Sequence, residues 1–137
     1  MKFKNSKFFN TLKHVEIVKP FGNFYFFEKF ILSEVNEGFH FDWKMIKEVM
    51  EEAVAFYGSD VKLGYISNRV NSYSINPQSW NMVKEEYNMI AAGAIVTYST
   101  MTFMNATIEK QFSENSIKRC LSLDEAIDWI VKLKELN

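Results

Sequence analysis

The chain has 137 residues, 47% of them hydrophobic, with a formal net charge of −1 and a single cysteine. That length fits one domain able to bury about two-thirds of its unfolded surface. The near-neutral charge supplies no basic face of the kind nucleic acid requires, and no apolar run approaches the roughly 20 residues that span a bilayer.

Residues 1–13 carry Lys2, Lys4, Lys7 and Lys13, which reads as a basic, solvated or frayed end preceding a single domain over 14–137. This end has no apolar core with a small-residue cleavage site, and Cys120 has no partner for an internal disulfide. Both features point to a reducing, cytoplasmic setting. Residues 15–18 alternate as a short strand, and Phe21-Gly22-Asn23 reads as a turn. The apolar runs 24–27 and 30–35 are either two strands of a meander or one long bent strand. Thirteen phenylalanines either line a ligand cavity or fill the core. The parallel abundance of Lys and Asn, which share AT-rich codons, favours the second.

The spacing of Ile46, Val49, Met50, Ala53, Val54 and Tyr57 predicts a helix over 42–57, capped by Asp42, stapled by Phe41 and Ile46, and stopped at Gly58. Residues 61–66 then read as a buried central strand. Asn76 and Pro77 suit the cap and first position of a second helix. Residues 91–98 form another buried strand. Ser99 or Thr100 caps a third helix with Met101, Met104, Ile108 and Phe112 on one side. A strand over 117–121 leads to Ser122-Leu123-Asp124-Glu125, a capping box opening the last helix. Strands alternating with helices predict an α/β domain. Its sheet is mixed and mostly parallel, with four to five strands, an antiparallel N-terminal block and about four helices.

The ending IKRCLSLDEAIDWI, 117–130, joins a short strand, a Ser cap, an acidic first turn and Ala-x-x-Trp. With the strands at 61–66 and 91–98, it resembles the SpoIIAA-like branch of the STAS superfamily, which some schemes group with CRAL-TRIO lipid-transfer domains. By element order the resemblance runs from Val15 to Leu133. It implies a small non-enzymatic regulator or ligand-binding module. In the anti-sigma-factor antagonists of that family, the loop after the central strand carries a phosphorylatable Ser within an Asp-Ser-Ser-Gly-like motif. The corresponding region here holds Ser67, Ser72, Ser74 and Ser79 without that motif, so no serine is assigned as a phosphosite.

The same loop is the candidate site on position alone, because ligands of open α/β sheets bind beyond the carboxyl ends of the strands. Asn68, Arg69, Asn71, Ser72, Tyr73 and Ser74 offer amides, hydroxyls, an aromatic face and one cationic fork to a ligand or protein partner. The competing reading, which local folding rules favour, has the Asn and Ser side chains satisfying the loop's own backbone and Arg69 pairing with a carboxylate. His14, His40 and Cys120 are not at metal-ligand spacing, so neither metal nor cofactor is expected. No Gly-x-Ser-x-Gly elbow or Gly-rich phosphate loop occurs, and no catalytic residue is assigned. Three functions are therefore carried forward. The first is a regulatory protein-interaction or small-ligand module using the loop. The second is a carrier of a lipid-like ligand in an aromatic-lined pocket, and the third, the weakest, is an enzyme. Met101, Phe103 and Met104 add a conditional expectation: core packing is the commoner role of such an apolar start, but an uncovered outward side would pack on a partner or a second copy.

Overall fold

Short turns at 20–21 and 27–29 fold the first strands back on one another. β1 (Val15–Lys19), β2 (Gly22–Phe26) and β3 (Phe30–Val35) form an antiparallel meander, so the runs 24–27 and 30–35 are separate strands. The structure is a computed structural model and describes residues 1–136. The first hairpin turns at Pro20-Phe21, and Gly22 opens β2. A Cβ at Gly22 would stand 2.7 Å from the Glu34 carbonyl oxygen on β3, so this close strand approach requires glycine.

After β3, a two-residue strand β4 (His40–Phe41) precedes helix α1 (Trp43–Tyr57). Asp42 caps α1 by accepting from the Met45 N–H at 3.0 Å. There follow β5 (Leu63–Asn68), a short β6 (Ser74–Ile75), α2 (Ser79–Glu86), β7 (Ile90–Val96), α3 (Thr100–Phe112), β8 (Ser116–Cys120) and α4 (Leu123–Val131). The main sheet runs β1-β2-β3-β5-β7-β8, with β3, β5, β7 and β8 parallel, and β4 pairs with β6 beside it. The sheet thus has six strands rather than four to five, because the whole N-terminal meander joins it. Helix α2 begins two residues later than Asn76-Pro77 suggests. The Asn76 side chain accepts from the Gln78 N–H at 2.9 Å and closes a turn that delivers the chain into the helix.

Alternation along the strands divides the core. On one face α1 and α2 cover Phe24, Phe26, Ile31 and Leu63, and α3 continues the layer over Ile95 and Ile117. On the other, α4 and the N-terminal segment cover Tyr25, Leu32, Ile66, Ala94 and Val96. Two expectations change here. The basic N-terminus is not frayed: Phe3 is 0% exposed, its ring 4.6 Å from that of Tyr25 and 5.3 Å from that of Phe27. The lysines project to solvent while the phenylalanines between them dock. Nor does the apolar stripe of α3 face the core. Ala106 and Glu109 are its buried residues, and Met101, Met104, Ile108 and Phe112 point outward.

Because Phe3 belongs to the core, Phe3→Ala should cost about 3–5 kcal/mol. Lys2→Ala should leave stability nearly unchanged. Urea unfolding followed by circular dichroism checks both.

Candidate functional site

β5 ends in Ser67 and Asn68, and Arg69 follows. Consecutive side chains leave a strand on opposite faces, so the loop feeds two separate polar clusters rather than one. Ser67 and Arg69 turn toward the α1–α3 face. Asn68 turns toward the N-terminal segment.

Arg69 is buried and fully engaged. Its Nη1 and Nη2 donate to the two carboxylate oxygens of Glu109 at 2.9 and 2.8 Å, and its Nε donates to Ser67 Oγ at 2.6 Å. Trp80 Nε1 donates to Glu109 Oε1 at 3.0 Å. The Ser67 and Tyr73 hydroxyls share a 2.9 Å hydrogen bond, and the guanidinium carbon lies 5.0 Å from the Tyr73 ring centroid. This bidentate fork with a stacked aromatic is geometry that Arg supplies and Lys does not. Burial pushes the Tyr73 hydroxyl above its ordinary range, with Arg69 pulling the other way. Trp80 packs against the sheet at Gly93, where a Cβ would meet its ring at 2.6 Å.

Above this network lies a cavity of about 40 Å³, room for a few waters at most. Its apolar wall includes Phe41, Met50 and Tyr65, and its polar wall is Ser67, Arg69, Tyr73 and Ser79.

The second cluster is built on Glu34, buried in β3. Its Oε2 accepts from the Asn68 side-chain amide and from the Phe3 N–H, both at 2.7 Å. Asn68 also donates to the Met1 carbonyl at 3.0 Å and accepts from the Tyr98 hydroxyl at 2.6 Å. The carboxyl ends of β3, β5 and β7 therefore hold the backbone of Met1 and Phe3. The N-terminal segment, which turns through short 3-10 helices at Phe3–Asn5 and Lys7–Phe9, lies over them as a strap.

The remaining loop residues serve the neighbouring connection. Asn71 donates to the Val35 carbonyl at 3.1 Å, and the Ser72 N–H donates to Glu37 at 2.6 Å. Ser74 Oγ bonds His40 Nδ1 at 2.8 Å, beside the β4–β6 pairing. Of the six loop residues, only Arg69 and Tyr73 meet at the cavity. Glu109, Trp80 and Glu34 complete the two clusters, and none of the three is a site residue expected from the sequence. Glu109 had one available signal: it is the sole acid of α3 and lies about a quarter turn off the apolar stripe. Among the described residues, no group of three His, Cys, Asp or Glu side chains converges as metal ligands. No helix among them is long and apolar enough to cross a membrane.

No protein-family model and no curated protein matches the chain. Among solved structures, it is similar to a crystal structure of an uncharacterised DUF3478-family protein with a SpoIIAA-like fold, from Shewanella loihica PV-4. That likeness has a TM-score of 0.54 at 8% identity and covers 87% of this chain and 93% of the other. The fold is SpoIIAA-like, as the ending of the chain and its element order led one to expect.

Removing one partner of the buried pair, by Arg69→Met or Glu109→Leu, should cost about 3–5 kcal/mol, and the double variant distinctly less than the sum. Urea unfolding of the four proteins measures this. Stability should also fall in alkali. Burial pushes the Cys120 thiol from 9.0 up to about 11, and burial with Glu34 pushes the Tyr98 hydroxyl from 10.0 up to about 12. The unfolded chain releases these protons first, so their contribution is complete below pH 9 and is lost as pH rises through the folded values. The thermal midpoint should decline over that range, and Cys120→Ala should flatten its first part.

Proposed function

We propose that this SpoIIAA-like domain is a non-catalytic protein-interaction module whose contact surface is the outward face of α3. The supporting observation is the exposure of four large apolar side chains on one helix: Met101 at 73%, Met104 at 61%, Ile108 at 45% and Phe112 at 47%. Isolated exposed apolar residues are ordinary, but a continuous stripe of them is a feature of interaction surfaces. Flexible methionines at one end suit such a surface, because they repack against different shapes.

In this reading the loop after the central strand acts from beneath. Arg69 holds Glu109, and Glu109 fixes which side of α3 faces the sheet. The loop is a brace for the surface, and Arg69 is a positioning residue. For the lipid-carrier alternative, the cavity beside Arg69, about 40 Å³ in volume, is far below the roughly 300 Å³ at which ligand pockets begin, whereas a groove of about 440 Å³ lined in part by Phe26, Phe27, Phe30 and Phe56 reaches that size. Its aromatic rings also pack on one another, as Phe27 does on Phe30 with centroids 4.3 Å apart.

Chemical cross-linking in cells tests the proposal. Complexes formed by the wild type should be lost in Met104→Glu and Ile108→Glu and retained in Ser72→Ala. Complexes that survive both α3 substitutions would remove this face from consideration.

A further inference from the structure

We propose that the partner is a second copy of this chain, joined through an antiparallel α3–α3 pair about a two-fold axis. This rests on α3 being the contact surface and commits that surface to one occupant.

The first argument is charge. The sequence of α3 is TMTFMNATIEKQF, and its only ionised residues are Glu109 and Lys110. Glu109 is already bound to Arg69. Lys110 falls about half a turn away from the stripe at 100° per residue. The polar members of the outward face, Asn105 and Gln111, are neutral. A partner presenting an acidic or basic surface would bury its charges here without counter-ions, whereas an equally uncharged face meets no such penalty. A chain of net charge −1 also brings little long-range repulsion to its own copy.

The second argument is self-complementarity. An isologous interface requires that if residue i touches j, then j touches i. In an antiparallel pair, Met101 meets Phe112 of the other copy, and Met104 meets Ile108. The two pairings have midpoints about half a residue apart, both close to Ala106, so a single axis accommodates all four contacts. The outer contacts set a thioether on an aromatic ring, a favourable combination. The antiparallel sense also opposes the two helix dipoles.

The third argument is area. The exposed parts of the four side chains come to roughly 450 Å² per copy, which with Asn105 and Gln111 approaches about 1,000 Å² for the pair. That stands at the lower bound for a specific interface, so the dimer is a reversible one.

Sedimentation velocity over a concentration series tests the pairing. The wild type should pass from monomer to dimer. Met104→Glu and Ile108→Glu should each raise the dissociation constant by about a hundredfold or more, since the axis repeats every change. Circular dichroism should be unaltered, because both sites are exposed. Register is read by single cysteines under mild oxidation. Asn105→Cys, nearest the axis, should cross-link to its counterpart, whereas Met101→Cys, about 16 Å along the helices from its own, should not. A wild type that stays monomeric throughout overturns self-pairing. If its cellular complexes are still lost on Ile108→Glu, the interaction-module reading survives with a different partner. Cross-linking by Met101→Cys and not by Asn105→Cys overturns the antiparallel arrangement.

Discussion

The bidentate pair between Arg69 and Glu109 governs how the second half of the molecule is arranged. A buried ion pair contributes little net stability, because desolvating two charges offsets most of their attraction. Its influence lies in what it forbids. Any rotation of α3 that hid Met104 and Ile108 against the sheet would strand Arg69 without a counter-ion and turn Glu109 away from Trp80. The hydrophobic effect alone would favour that rotation. The pair opposes it, because an uncompensated buried charge costs about 3–5 kcal/mol and the Trp80 hydrogen bond to Glu109 would be lost with it. An outward apolar helix face thus follows from a charge at the end of β5.

The same strand end organises the opposite layer. Asn68 is one residue away from Arg69 yet works on the other side of the sheet, where it and Glu34 hold the backbone of Met1 and Phe3. Strand pleating thus converts a single polar tripeptide, Ser67-Asn68-Arg69, into two braces. One fixes α3 and the other fixes the N-terminal strap. Between them the sheet's apolar side chains sort cleanly, with Tyr65 toward α1 and α2 and Ile66 toward α4.

Much of this fold is legible in the sequence, because capping and periodicity are local. Asp42, Ser99 and Ser122 each cap the helix expected of them, and the central strands lie within a residue or two of their apolar runs. What was not legible depends on contacts distant in sequence. Six strands replace four or five because the meander pairs β3 with β5, which no local signal dictates. The N-terminal lysines read as solvated, correctly for their charges, but Phe3, Phe8 and Phe9 find a core only once β2 exists. The stripe on α3 was recognised, but its direction depends on Glu109 meeting an arginine 40 residues earlier. The candidate loop was likewise found by position, but its six residues separate into brace, strap and turn because neighbours on a strand face opposite ways.

The strap also bears on the order in which the molecule assembles. Its hydrogen bonds reach from Met1 and Phe3 to partners 31, 67 and 97 residues away. Glu34, Asn68 and Tyr98 come into register only when β3, β5 and β7 lie side by side. Closing loops of that length before the sheet exists would spend chain entropy on acceptors not yet in place. The segment at the start of the sequence is therefore a late arrival. It docks as a clasp on a finished sheet and reports, by the burial of Phe3, that the parallel pairing beneath it is complete.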